Sequence, residues 1–180
     1  ITGSIDVENS GIALERFAFE MGETTASGSL KAQGDLESPH LQMQGQATNM
    51  PVEDLRYYWP QGLSPQSREW ATTNVRDGVA SQANVTIAIE PEDMQPEFFP
   101  DDILRAEVQV KDTTVEYLEG MPPAEHADGI IHFTGTTMRA DVSTASLLSG
   151  GKVNAAKVHF PDLNAPGTPV EIDLDLHRVT

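Results

Sequence analysis

Apolar and polar positions alternate along most of this chain. The C-terminal segment carries Val170, Ile172, Leu174 and Leu176 interleaved with Glu171, Asp173, Asp175 and His177. Successive side chains of a strand point to opposite faces, so this pattern predicts a strand with one dry and one wet face. Residues 79–89 repeat it, with Ala83, Val85, Ile87 and Ile89 on the dry side. Ala106, Val108 and Val110 follow the same period, as do Phe17, Phe19 and Met21, and Leu41, Met43, Gly45 and Ala47. Turn-forming pairs, namely Gly22-Glu23, Gly34-Asp35, Asp112-Thr113 and Gly150-Gly151, separate these runs. Short antiparallel strands joined mainly by hairpins are therefore expected.

One region breaks the period. Between Pro51 and Asp77 the spacing predicts two short helices. Pro51 opens the first, which carries Val52, Leu55 and Tyr58 and stops at Trp59-Pro60. The second begins at Ser64 as N-cap with Pro65 in the first helical position, runs through Trp70 to Asp77, and ends at Gly78. Both tryptophans of the chain lie in or beside this insert, where Trp70 is expected to anchor the second helix onto the sheet. The stretches 90–100 and 120–123 read as Pro-rich surface loops. The organisation expected is strands over 1–48, a helical insert over 49–78, and strands over 79–180, without a linker between separate domains.

Charge removes several classes of function. Eleven Lys+Arg stand against 28 Asp+Glu, a formal net charge of −17. Nucleic-acid binding needs clustered basic residues that release counterions, and none are present. Anionic membrane surfaces repel such a chain. There is no cysteine, which removes disulfides and thiolate metal sites. No stretch approaches the roughly 20 apolar residues of a membrane-spanning helix, so direct membrane insertion is not expected of these residues. The sequence begins at Ile1 without an initiator methionine and reads as a section of a longer chain.

Candidate chemical sites fail on spacing. His126 and His132 share parity on a possible strand but stand roughly 20 Å apart, too far to share one metal ion. The acidic row Glu171, Asp173, Asp175 cannot supply the six to eight oxygens of a calcium site from one straight strand. Ser149-Gly150-Gly151-Lys152-Val153 lacks the first glycine and the final Ser or Thr of a phosphate loop. No G-x-S-x-G elbow is present. No catalytic group, metal or cofactor is expected.

The motifs Leu55-Arg56-Tyr57-Tyr58-Trp59-Pro60, Ser64-Pro65-Gln66-Ser67-Arg68-Glu69-Trp70 and Arg76-Asp77-Gly78 resemble AsmA-like proteins of Gram-negative bacteria, in particular the long subgroup known by its AsmA-like C-terminal region. The resemblance continues through residues 85–89, Phe99-Pro100-Asp101-Asp102, residues 115–123, Asp128-Gly129 and Phe133-Thr134-Gly135. It covers about half of the chain, from residue 50 to 135. It implies a large protein with an inner-membrane helix outside these residues and a long periplasmic body. That body is similar to bridge-like lipid transfer proteins, whose curved β repeats line an apolar groove for acyl chains.

The reading that results is a mainly β fold, a curved antiparallel sheet of stacked short strands with two short helices inserted near residues 51–77. Its expected role is that of a non-catalytic periplasmic segment shielding phospholipid acyl chains between the inner and outer membranes, continuous with flanking repeats of its own full-length chain. The expected groove residues are Val85, Ile87, Ile89, Val108, Val110, Phe133, Ile172, Leu174 and Leu176. The small residues Gly28, Ala32, Gly45 and Ala47 imply a shallow or narrow section. The alternative is an envelope scaffold with a closed core, docking a partner through Tyr57-Tyr58-Trp59-Pro60.

Overall fold

Alternation of this length commits each strand to one face, so a hairpin chain builds a sheet that is dry on one side. The computed structural model describes residues 2–6, 11–34, 40–59, 61, 65–93, 100–118, 120–147, 150–162 and 171–178. Within them the strands are β1 (Thr2–Asp6), β2 (Gly11–Met21), β3 (Thr24–Gln33), β4 (His40–Pro51), β5 (Val75–Arg76), β6 (Val79–Ile89), β7 (Leu104–Val115), β8 (Ala124–Phe133), β9 (Met138–Leu147), β10 (Gly151–Phe160) and β11 (Glu171–Arg178). All belong to one antiparallel sheet. Ten follow in sequential order, and the two-residue β5 pairs beside β6 on the end of β7. The helices α1 (Leu55–Tyr58) and α2 (Pro65–Asn74) stand between β4 and β5, with a 3-10 turn at Val52–Asp54 before them. The mainly β fold, its antiparallel meander and the two short helices are as expected.

The register makes the two faces explicit. Phe19 of β2 stands opposite Ala26, and the same row continues through Ala47, Ala83, Val108, Ile131, Ala140 and Val158 to Ile172 of β11. This row is apolar at every step across nine strands. One residue over lies a polar row, from Ser27 through Gln46, Asn84, Glu107, His132, Arg139 and His159 to Glu171.

Bulges bend the sheet along a line. Register shifts fall between Ala80 and Gln82, between Val110 and Thr113, between Asp128 and Gly129, and between Val153 and Ala155. They flank the paired row Ala80, Val110, Gly129, Val142 and Ala156. Each bulge bends its strand and increases the local twist, so a row of them creases the sheet.

The structure corrects two sequence expectations. Asp112-Thr113 is no hairpin turn: β7 runs straight through it as a bulge, with Asp112 at φ 56°. Asp tolerates the left-handed region because its short side chain bonds locally. Here the Asp112 carboxylate meets His126 Nδ1 at 2.6 Å, and buried Thr113 donates to the Ala127 carbonyl at 3.0 Å. Next, the second helix ends at Asn74, not Asp77, because Val75 and Arg76 pair with Val115 and Thr114. At Gly28, one of the small residues read as a shallow or narrow section, the strands are closely packed. A Cβ there would sit 2.8 Å from Phe17 Cζ and closer still to the Gln44 carbonyl, so the Phe17 ring fills what the glycine vacates. Pro65 starts α2 as read from its fixed φ; the expected N-cap Ser64 lies outside the described residues.

The buried core forms where the insert meets the sheet. Ala71 of α2 packs with Phe133, Met138 and Phe160, joined by Leu55, Trp59 and Trp70. A second cluster of Ile87, Ile89, Ile103 and Leu104 also takes in Trp59. A third, of Ala127, Ala145, Val153 and Ala156, lies along the crease.

Candidate functional site

The seven expected groove residues with described side chains lie on one face, and the structure sorts them into two settings. Val85, Ile87 and Ile89 of β6 are part of the packed cluster beside Trp59. Phe133 of β8 is 4% exposed and receives Trp59 edge-on at 5.3 Å. Ile87, Ile89 and Phe133 are filled core, and Val85 is partly buried against it. Val110 of β7 and Ile172 of β11 line a cavity of about 80 Å³, and half-buried Val108 continues the same face between them and the insert. Leu174 and Leu176 hold β11 register positions opposite Ala156 and Val153; their side chains lie outside the described part of the structure.

The cavity wall is almost wholly apolar. Ile131, Ala140, Val142 and Val158 supply its floor from β8, β9 and β10, and Trp70 closes one side. None of these four was singled out from the sequence, although each alternates with a polar neighbour such as His132, Asp141 or His159. Two carboxylates border the cavity, and both are engaged elsewhere. Asp128 accepts from the Asp112 amide at 2.9 Å, and Asp141 accepts from Arg139 at 3.1 Å.

At the other side of the sheet the apolar face is open. Ile12, Phe19 and Met21 are 46%, 42% and 38% exposed, with Phe17 and Phe19 stacked at 6.0 Å. The aromatic segment expected to dock a partner divides. Tyr57 and Tyr58 are 74% and 44% exposed, whereas Trp59 turns inward onto Phe133. Pro60 lies outside the described residues.

Titratable groups gather on the wet face and at strand ends. His40, His126, His132 and His159 each approach a carboxylate, at 2.6, 2.6, 3.7 and 3.4 Å. The Asp112 hydrogen bond, then its charge, holds the His126 imidazole above its ordinary 6.5. Asp101 Oδ1 accepts from the hydroxyls of Thr134 and Thr136 at 2.6 Å each and from the Thr136 amide at 2.9 Å. Among the described residues no three His, Asp or Glu side chains are grouped to hold a metal ion, and no helix is long and apolar enough to cross a membrane.

The motifs that carried the family resemblance now have physical roles. Asp101 ties the entry to β7 to the β8–β9 turn through Thr134 and Thr136. Arg76 reaches Glu116 at 3.0 Å. Gly78, at φ 67°, lies so close to the carbonyls of Lys111 and Asp112 that a Cβ would come within 2.6 Å of both. Asp128 supports the Asp112 bulge. All of these contacts shape the sheet and the seat of the insert.

No curated protein and no solved structure matches the chain. The YhdP protein family matches residues 3–179, which takes in the insert, both rows of the sheet and the contacts just described. The chain therefore belongs to the YhdP protein family, a branch of the AsmA-like envelope proteins.

Proposed function

We propose that this chain is a non-catalytic section of a periplasmic conduit that shields phospholipid acyl chains between the inner and outer membranes. The observation that carries the reading is the apolar row running without a polar interruption from Phe19 to Ile172, backed by a polar row on the opposite face. A wall of this kind replaces water along the length of an acyl chain. Each buried methylene contributes about 0.8 kcal/mol, so laying roughly eight against the sheet offsets about 6 kcal/mol of the cost of leaving the bilayer. The phosphate headgroup stays in water, since a chain of net charge −17 does not attract an anion overall. Flanking repeats of the full-length protein would continue the wall on either side, and the inner-membrane anchor would lie outside these residues.

A scaffold reading draws on Tyr57 and Tyr58, whose exposure suits aromatic anchors for a partner. Native mass spectrometry after incubation with phosphatidylethanolamine vesicles separates the two. The conduit reading expects a protein carrying one phospholipid mass, and loss of that species in Val108→Asp, which sets a charge in the middle of the apolar row. A clean apo mass for the folded wild-type protein favours the scaffold.

A further inference from the structure

The insert crosses the apolar face as a strap. On the β2 side, the Tyr58 hydroxyl donates to Met21 Sδ at 3.2 Å. In the middle, Trp59 rests on Phe133, and at the far side Trp70 rests on Phe160 of β10 with ring centroids 5.1 Å apart. Arg68 makes the two helices one body, donating to the Trp59 carbonyl at 2.9 Å and the Arg56 carbonyl at 2.8 Å.

The sheet does not depend on the strap for its continuity. β4 and β6, the strands it links, pair with each other as far as Pro51 and Val79. Lifting the insert therefore breaks no long strand pairing. It releases the two-residue β5 pairing, the Arg76–Glu116 pair, the Glu116 amide from the Asn74 carbonyl, the Val52 amide from the Gly78 carbonyl, and the packing of Leu55, Trp59, Trp70 and Ala71 on Phe133, Met138 and Phe160. Beneath it lies unfilled apolar space. The cavity of about 80 Å³ has Trp70 for one wall and Ile131, Ala140 and Val142 among the others. An apolar cavity of about 150 Å³ admits a benzene, so this one admits no acyl chain while the strap is down.

We propose that the insert is a displaceable strap that closes this part of the apolar trough and lifts to admit a single acyl chain. The proposal rests on the lipid reading above and adds its regulation. The entering methylenes take the place of Trp59 and Trp70 against Phe133 and Phe160. The acyl chain keeps Phe133 and Phe160 covered, and the lifted faces of Trp59, Trp70 and Ala71 stay out of water only where they lie on that chain.

The chain's composition supplies the test. It has no cysteine and only two tryptophans, both on the strap. A Met21→Cys, Tyr58→Cys double variant places thiols at two exposed positions whose native side chains touch at their tips, a gap that a short linker spans. A short bis-maleimide joins them; the same variant capped with N-ethylmaleimide is the free control. Both are mixed with vesicles of brominated phosphatidylcholine, whose chains quench indole fluorescence on contact. The capped protein is expected to be quenched, and the joined protein to take up lipid roughly tenfold more weakly or worse, equivalent to about 1.4 kcal/mol. Equal quenching in both, with equal melting temperatures, overturns the strap and leaves the trough standing. Absence of quenching in both overturns the lipid reading and the strap with it.

Discussion

Asp101 illustrates how single residues here act as fasteners. Burial pushes its carboxyl up, but the hydrogen bonds from Thr134, Thr136 and Thr137 outweigh burial and bring it below the ordinary 3.8. A carboxyl whose folded value lies below its unfolded one stabilises above the unfolded value and loses that contribution as pH falls through the folded value. Asp101→Asn is therefore expected to cost about 1 kcal/mol at pH 7, after allowance for its exposure. The difference from wild type should shrink toward pH 3, as followed by thermal melting at both pH values. An undiminished difference at pH 3 would show that the carboxylate charge plays no part. At this scale the sequence is least legible. Asp101 and Thr134 are both in motifs that stand out, yet nothing in either announces that they meet. Asp112 reads as a turn residue because left-handed backbone favours Asp in turns and bulges alike. Only its pairing with His126 across β8 distinguishes the two.

At the scale of elements, the strands were legible and the seat of the insert was not. The expected strand over 79–89 coincides with β6, because an eleven-residue alternation fixes both length and face. The helices could be read from Pro51 and Pro65, which favour helix starts. The end of α2 could not, since Val75 and Arg76 answer to a partner about 40 positions along the chain. Trp70 was expected to anchor α2, and its ring does lie on Phe160. It is only half-buried, so Trp70→Ala should cost somewhat less than the 3 to 5 kcal/mol of a fully buried Trp, roughly 2 to 3 kcal/mol. Urea unfolding measures this directly. A midpoint unchanged from wild type would mean that α2 is held without Trp70. The split of the groove candidates has the same origin. Period two puts Ile87 and Ile172 on one face, but it cannot say that Trp59 covers the first while a cavity adjoins the second.

Across the whole molecule, charge and apolar surface are separated by the sheet itself. The carboxylates and imidazoles of the polar row, Glu107, His132, His159 and Glu171, lie on the wet face, and the apolar row crosses from β2 to β11 on the other side. The insert lies over the middle of that face and reaches Met21 through Tyr58, leaving Ile12 and Phe19 open at one side and a small cavity at the other. This arrangement explains why the family could be recognised without any catalytic motif: its marked residues fold the sheet, and the sheet supplies a surface. Photo-crosslinking tests that account most directly. Phosphatidylethanolamine carrying a diazirine in its acyl chain would be incubated with the protein, irradiated, and the adducts mapped by peptide mass spectrometry. The trough predicts adducts on apolar-face residues such as Phe19, Val108, Ile131 and Ile172, with none on Gln44, Thr86 or Glu107. Adducts spread over both faces, or confined to Tyr57 and Tyr58, would contradict it.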